Sequence, residues 1–289
     1  MRLIKMTGGL GNQMFIYAFY LRMKQLYPHT RIDLSDMVHY HAHYGYELHR
    51  VFPHLPKDEF CINQSLKKVL EFLCFHTLIE RKQKRDTLEA FWQPRFWPLI
   101  YFKGFYQSER FFADIAPQVR QAFRFSDALA SDQTRQLLLR IDAEPNAVSL
   151  HVRRGDYQQT KFYNSMGRVC TSRYYVDAVD RMRSHVPDAH FYVFSDDIQW
   201  VRSHIPIEEA VYVDFNQDAD SWQDMLLMSR CHHNIICNSS FSWWGAWLNA
   251  YADKRVIAPS VWCANAPTPD ILPDAWDRIE VVPAKIRLL

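Results

Sequence analysis

The feature that most constrains this 289-residue chain is the alternation of short apolar segments with amphipathic ones in its C-terminal half. The segments AVSLHV and AHFYVFSDD have the composition of strands, whereas TSRYYVDAVDRMRSHV and SWQDMLLMSRC repeat apolar residues at helical spacing. Strands that alternate with helices join through right-handed crossovers into a parallel sheet, with ligand-binding loops at the carboxyl ends of its strands. The pattern predicts a Rossmann-like domain over residues 146–289.

The N-terminal half opens in the same way. RLIKM predicts a strand, TGGLGNQ a loop, MFIYAFYLRMKQLY a helix and RIDLS a second strand. From about residue 37 the pattern is less regular, although SLKKVLEFLCFHTLIERK predicts a further helix. The polar, proline-containing DAEPN, residues 142–146, is typical of a linker. We therefore predict a boundary near residue 145, with a Rossmann-like domain over residues 1–145 facing the second domain across a central cleft.

Composition excludes several classes of protein. A formal net charge of +2 is too small for general nucleic-acid binding. The six cysteines form no CxxC pair, which predicts reduced thiols and a cytoplasmic protein, with peripheral contact to the inner membrane left open. The N-terminus has no signal-peptide pattern, and no apolar run reaches the roughly 18 residues that span a bilayer.

The stretch HVRRGDY places His151, Arg153, Arg154 and Asp156 at the end of a predicted buried strand. An ion pair such as Arg154 with Asp156 is one interpretation. The other, which we favour, is a diphosphate site, because guanidinium groups bind phosphate oxygens bidentately and stay charged. An integrin-type function for the Arg-Gly-Asp tripeptide requires export, which nothing in the N-terminal sequence supports.

Two glycine- or serine-rich turns provide further candidate anion sites. GGLGNQ, which contains Gly11 and Asn12, lets the backbone approach an anion at a helix N-terminus, although a tight turn explains it equally well. In CNSSFSWWGAWLN a buried strand runs into Asn238, Ser239 and Ser240 just before a helix. Hydroxyls and helix N-terminal amides form an anion cradle that needs no metal.

Two acidic motifs also precede helices. Asp197 in FSDD fits a helix cap, and it also fits recognition of a nucleotide base or ribose. Asp218 and Asp220 match the DxD pattern that holds a divalent cation in metal-dependent sugar-nucleotide transferases. Capping of the following helix is the interpretation that we favour for DAD.

The sequence resembles the bacterial α-1,2-fucosyltransferases of glycosyltransferase family 11 from about Leu3 to Pro259, in the motifs GGLGNQ, YELHRVF, HVRRGDY, FSDD and CNSSFSWWGAWLN. The resemblance implies a GT-B-type α/β fold, with the acceptor on the N-terminal side and GDP-fucose in the C-terminal domain. It implies inverting transfer of L-fucose to the 2-hydroxyl of a terminal β-galactose, in an O-antigen-like surface glycan, free or lipid-linked, or in an oligosaccharide. It also implies that neither a metal nor another cofactor is needed. Eukaryotic relatives carry an N-terminal membrane anchor, whereas this sequence starts directly at the predicted catalytic domain, which leads us to expect a cytoplasmic enzyme.

The resemblance further implies roles for individual residues. Arg154 binds the leaving β-phosphate with Arg153 nearby, while His151 and Asp156 hold the nucleotide. Gly11 and Asn12 approach the donor from the N-terminal domain. Ser239 and Ser240 approach it from the opposite side. The general base is open: Asp156 and Glu47 are candidates, as is the departing phosphate itself, because Lys161 stands where related α-1,6 enzymes have a glutamate.

Two other functions remain as alternatives. One is a metal-dependent sugar-nucleotide transferase that uses Asp218 and Asp220. The other is a non-catalytic glycan-binding protein, since aromatic residues make up 15% of the chain and suit the apolar faces of sugar rings. Residues 55–140 match no motif, so the sequence leaves the sugar beneath the acceptor galactose open.

Overall fold

The structure, a computed structural model, describes residues 2–38, 40, 44–57, 59–62, 77–79, 100–268 and 270–283. These residues form two compact units. The first comprises the described residues up to Phe125 together with residues 270 and 271. The second begins at Ser126 and includes the described residues from Leu272 onward.

The first unit contains a four-stranded parallel sheet in the order β2-β1-β4-β3. Its strands are β1 (Arg2–Lys5), β2 (Thr30–Asp33), β3 (Thr77–Ile79) and β4 (Ile100–Lys103). Its helices are α1 (Leu10–Leu26), α2 (Leu48–Val51) and α3 (Ala116–Ala122), with 3-10 turns at Glu109–Phe111 and Ala113–Ile115. Helix α1 is apolar around most of its circumference and is therefore buried, with Phe19 stacked on Tyr106 at 3.8 Å between ring centroids.

The second unit contains a six-stranded parallel sheet in the order β10-β9-β8-β5-β6-β7. Its strands are β5 (Ala147–Val152), β6 (His190–Ser195), β7 (Val211–Val213), β8 (His233–Ile235), β9 (Val256–Pro259) and β10 (Asp277–Ile279). Its helices are α4 (Asp132–Asp142), α5 (Ser172–His185), α6 (Ile198–His204), α7 (Trp222–Arg230) and α8 (Ser240–Leu248). Shorter turns lie at Asp127–Leu129, Asp156–Gln158, Thr160–Phe162, Tyr163–Gly167 (π-helical) and Asp218–Asp220.

Strand β5 is the centre of this second sheet. All six of its residues are buried, and it pairs with β6 on one side and β8 on the other. After β5 the chain adds β6 and β7 on one side of this strand. It then returns and adds β8, β9 and β10 on the other side. Ligands of open parallel sheets bind at such a switch point, beyond the carboxyl ends of the two diverging strands.

Three sequence-based expectations differ from this fold. The two units divide at Phe125 rather than near residue 145, because α4 packs on α7, with Thr134 Oγ1 donating to Asn216 Oδ1 at 3.0 Å. The helix predicted over SLKKVLEFLCFHTLIERK is wrong at Thr77–Ile79, which forms a strand, and its remainder lies outside the described residues. Strands β4 and β10 were not predicted. Among the described helices, none is long and apolar enough to cross a membrane.

Candidate functional site

The register of β5 against β6 decides which side chains meet at the carboxyl edge of the second sheet. Val152, the last residue of β5, pairs with Ser195, the last residue of β6. The residues that follow the two strands therefore come side by side. This register brings the arginines of HVRRGDY against the carboxylates of FSDD.

Arg153 is held by carboxylates through most of its guanidinium group. Its Nε and Nη2 atoms lie 3.0 and 2.8 Å from Asp156 Oδ1, and its Nη1 atom lies 2.9 Å from Asp196 Oδ2. Burial opposes the charge of Arg153, but Asp196 and Asp156 outweigh burial and hold its pKa above the ordinary value. Arg153 therefore stays charged and fixes the positions of Asp156 and Asp196 relative to each other.

Arg154 is fixed differently. Its backbone N–H donates to Asp196 Oδ1 at 2.8 Å, its Nε donates to Asp197 Oδ2 at 3.0 Å, and its guanidinium carbon lies 3.8 Å from the centroid of the Trp200 ring. Within the described part of the chain, its two Nη atoms have no hydrogen-bond partner. Because the ring of Trp200 and the bond at Nε hold the guanidinium group in place, its two Nη atoms are already oriented to donate to an oxyanion.

The strand-end ion pair given above as one interpretation forms, but Arg154 and Asp156 pair with other residues and not with each other. Asp156 begins a 3-10 turn that brings it back to Arg153, three residues earlier in the chain. Arg154 pairs with Asp197 instead. The cap interpretation of Asp197 is confirmed, because its Oδ1 accepts from the Trp200 N–H at 3.1 Å at the start of α6.

Gly155 makes room for Asp196. A Cβ atom at this glycine would stand 2.5 Å from Asp196 Oδ2, closer than two non-bonded heavy atoms can approach. The absent side chain thus allows one carboxylate to reach the backbone of Arg154 and the guanidinium of Arg153 together. Asp196 was not among the predicted site residues, although FSDD contained the signal.

His151 lies behind the two arginines and is almost fully buried. Its Nδ1 atom is 3.3 Å from the Cys237 Sγ atom, and its ring contacts the ring of Phe241. Burial, assisted by the charge of Arg153, lowers the pKa of His151 to about 3, so the imidazole is neutral at physiological pH. His151 is therefore not a cationic phosphate ligand.

The turn between β8 and α8 lies beside β5 at the same edge. Ser239 caps α8, its Oγ accepting from the Phe241 N–H at 3.3 Å, and Ser240 begins the helix. Asn238 donates its amide hydrogens to the carbonyls of Met166 and Trp262, at 3.1 and 3.0 Å. Asn238 therefore fixes neighbouring loops, whereas Ser240 and the first amides of α8 stand at the helix N-terminus, where anions are favoured.

The glycine-rich turn belongs to the first unit. Gly8 has a φ of +83°, a conformation that glycine adopts without strain, and α1 starts at Leu10 rather than at the predicted Met14. Gly11 and Asn12 thus lie in the first helical turn, where Asn12 Oδ1 accepts from Gln107 Nε2 at 2.7 Å. Gln13 fixes the turn by donating to the carbonyls of Gly8 and Gly45, at 2.8 and 2.7 Å.

Glu47 closes the N-terminus of α1. Its Oε2 accepts from the Leu10 N–H at 3.2 Å, and its Oε1 lies 2.6 Å from Arg50 Nη2. Burial raises the pKa of Glu47 to about 7, although Arg50 and the Leu10 amide favour the charged form. The carboxylate that was predicted as a general base therefore also stabilises a helix terminus.

Glu47→Gln is expected to flatten the pH dependence of stability. The folded pKa of about 7 lies above the ordinary 4.5, so the folded state binds the proton more tightly and stability falls as pH rises from 4.5 to 7. The wild-type decrease should be on the order of 3 kcal/mol over this window. Urea unfolding between pH 4.5 and 7.5 measures it, with the exposed Glu208→Gln as control. An unchanged slope in Glu47→Gln would contradict the assignment.

Asp218 and Asp220 lie in an exposed 3-10 turn before α7. The predicted capping role is wrong, because the N-cap position of α7 is Ser221 and no side chain caps it. Within the described ranges, no group of three or more histidine, cysteine, aspartate or glutamate side chains is arranged to hold a metal ion.

Comparison with known proteins identifies the family. The model of glycosyl transferase family 11 matches residues 2–270. This chain belongs to glycosyl transferase family 11. An α-1,2-colitosyltransferase of Escherichia coli is 31% identical over 96% of this chain and 98% of its own length. A galactoside α-(1,2)-fucosyltransferase 1 of Saimiri boliviensis boliviensis is 32% identical over 60% of this chain and 47% of its own length.

A solved structure shows the fold of this family 11 glycosyltransferase. The NodZ α-1,6-fucosyltransferase soaked with GDP-fucose is similar with a TM-score of 0.52 at 13% identity, over 90% of this chain and 95% of that one. The predicted GT-B-type α/β fold and the predicted glycosyltransferase activity are therefore confirmed.

Besides Asp196, three residues of the candidate site were missed by sequence reasoning. Trp200 stacks on Arg154, Cys237 contacts His151, and Tyr157 donates its hydroxyl to the Asn238 carbonyl at 3.0 Å. Each is an aromatic or thiol side chain whose sequence context resembles ordinary core. Only the pairing of β5 with β6 and β8 shows that these residues lie at the edge that carries the arginines.

Proposed function

We propose that this family 11 glycosyltransferase transfers L-fucose from GDP-fucose to the 2-hydroxyl of a terminal β-galactose, with inversion at the fucose anomeric carbon. The observation that carries the proposal is the unpartnered Nη edge of Arg154 at the switch point of the second sheet, among the described residues. A diphosphate that accepts from this edge would lie beside the N-terminus of α8. The relatives named for α-1,2-glycosyl transfer support the linkage.

The mechanism follows from where charge develops. As the bond from fucose to the β-phosphate breaks, negative charge grows on the diphosphate and positive charge on the sugar. Arg154, prealigned by Trp200 and Asp197, stabilises the diphosphate more strongly in the transition state than in the ground state. Arg153 is held beside Arg154 by Asp156 and Asp196 and keeps the loop that carries both arginines in place.

We assign the acceptor proton to the departing diphosphate. Asp156 is engaged by Arg153, and both carboxylate oxygens of Glu47 are engaged by Arg50 and the Leu10 amide. We also propose that the reaction needs no metal, since arginine and helix amides supply the positive charge. A cytoplasmic location, in contact with a galactose-terminated and lipid-linked or free glycan, completes the proposal and agrees with the unpaired cysteines of the described chain.

A second donor is favoured by one specific finding. The E. coli relative that matches over 96% of this chain is named for transfer of colitose, which is the 3-deoxy form of L-fucose. The same diphosphate site would serve both GDP-sugars, because they differ only on the sugar ring. Discrimination therefore depends on a contact to the 3-hydroxyl, and the two donors must be compared directly.

The test is GDP release with purified protein, using GDP-fucose, GDP-colitose and GDP-mannose against acceptors with β-galactose on N-acetylglucosamine, N-acetylgalactosamine or glucose. We expect release with GDP-fucose, an α-1,2 linkage by NMR of the product, and no transfer to a 2-deoxygalactose acceptor. Preference for GDP-colitose would reassign the donor. Glycan binding without GDP release would identify a binding protein.

Chelation tests the metal prediction separately. We expect excess EDTA to leave the rate of GDP release within about twofold of the untreated rate, since arginine and helix amides supply the stabilising charge. Asp218→Ala and Asp220→Ala, which change exposed side chains, should likewise keep their activity. A rate that collapses in EDTA and recovers with Mn²⁺ or Mg²⁺ would establish the metal-dependent alternative.

A further inference from the structure

The thiol of Cys237 lies in the site, yet no step of the proposed reaction uses it. Cys237 is fully buried just beyond β8, and its Sγ atom is 3.3 Å from His151 Nδ1 and 3.7 Å from Ser242 Oγ. His151 is only 6% exposed, so neither partner can exchange this contact for water. The direction of this hydrogen bond therefore determines which ring nitrogen of His151 carries the proton.

The protonation states leave two arrangements. Burial raises the pKa of Cys237 to about 11, so the thiol keeps its hydrogen, while the His151 ring is neutral. Either the thiol donates to Nδ1, or Nδ1–H donates to sulfur. Sulfur is a weak acceptor, whereas the unprotonated nitrogen of a neutral imidazole is a good one. Ser242 Oγ competes poorly for the thiol hydrogen, because it stands 3.7 Å away.

We propose that Cys237 donates to His151 Nδ1 and thereby fixes the tautomer that carries its hydrogen on Nε2. In the described part of the chain, Nε2 has no protein partner. His151 is close enough to Arg153 to feel its charge, and an Nε2–H group there is a neutral donor that fits an oxygen of the nucleotide diphosphate or ribose. Cys237 is thus a positioning residue, and only the identity of the ligand, GDP, rests on the proposed function.

The tautomer can be measured without any ligand. Two-dimensional ¹⁵N NMR of the wild-type protein reports which ring nitrogen is protonated, and the signals that are missing in His151→Gln assign those of His151. We expect a protonated Nε2 and an unprotonated Nδ1 at pH 7. A protonated Nδ1 in the wild-type protein would overturn the proposal. This result stands whether or not the protein binds GDP, so it separates the inference from the proposed function.

Three variants then test the consequence for binding. Cys237→Ala is expected to weaken GDP binding in calorimetry about three- to tenfold, the effect of one neutral hydrogen bond, and to change the His151 tautomer. Cys237→Ser, whose hydroxyl can donate to Nδ1, should restore both. Cys231→Ala removes another fully buried thiol of the same unit and should change neither.

Two outcomes of the variant series would contradict the inference. In folded Cys237→Ala, unchanged GDP affinity with an unchanged tautomer would show that the thiol positions nothing. Weakened binding with an unchanged tautomer would reduce Cys237 to a packing role. If Cys237→Ala fails to fold, the His151 tautomer in Cys237→Ser and in the wild-type protein still tests the proposal. Absence of GDP binding to the wild-type protein would count against the proposed function alone.

Discussion

Arg154→Ala is expected to lower the rate of GDP release from GDP-fucose by about a hundredfold or more while the protein remains folded. The substitution removes a guanidinium group whose two Nη atoms have no protein partner within the described structure and which lies at the carboxyl edge of the second sheet. It leaves Asp197 bound to the Trp200 amide, so the start of α6 keeps its cap. Steady-state GDP release, read beside thermal melting, measures both effects.

Two matched variants sharpen this result. Arg154→Lys keeps the charge but loses the planar fork, so its activity should lie between that of the wild type and that of Arg154→Ala. Arg173→Ala removes an exposed arginine that pairs with Asp177 on the surface of α5, and it should leave turnover unchanged. Near-normal turnover in folded Arg154→Ala would show that Arg154 does not bind the diphosphate. The proposed function would then lose the observation on which it rests.

Much of the second unit was predictable because its inner strands are largely buried on both faces. Such strands are continuous apolar segments, as AVSLHV is, and the charges that follow them can only lie at the edge of the sheet. The motif HVRRGDY therefore predicted both the end of β5 and the position of its charges at the edge of the sheet. The amphipathic segment TSRYYVDAVDRMRSHV likewise became α5, with Tyr174, Ala178 and Met182 on its buried face.

The pairing of charges was not predictable from the sequence, because it depends on strand register and turn geometry. Arg154 meets Asp197 only because β5 and β6 end in register, and Asp156 returns to Arg153 only because a 3-10 turn follows Gly155. The first residue of α1 could not be predicted from the sequence for a related reason. Glycines suggested a longer loop, whereas the side chains of Gln13 and Glu47 stabilise the helix from Leu10 onward.

Asp196→Ala is expected to weaken GDP binding about ten- to a hundredfold, and more than Asp156→Ala does. Asp196 holds the Arg154 backbone and the Arg153 guanidinium at once, whereas Asp156 holds only Arg153. A hydrogen bond to a charged group contributes about 1.5–3 kcal/mol, and losing Asp196 removes an acceptor from both arginines, whereas losing Asp156 affects Arg153 alone. Calorimetric titration with GDP, together with kcat and KM for each variant, gives the ranking.

The same pair of variants separates organisation from catalysis at Asp156. If Asp156 only orients Arg153, then Asp156→Ala should raise the KM for the donor and weaken GDP binding, with a modest loss in kcat. If Asp156 removes the acceptor proton, kcat should fall by about two orders of magnitude or more at unchanged GDP affinity. The ion pair of Asp156 with Arg153 predicts the first pattern, since it commits the carboxylate to orienting the guanidinium group. The second pattern would return Asp156 to the role of general base and show that the departing diphosphate does not take the proton.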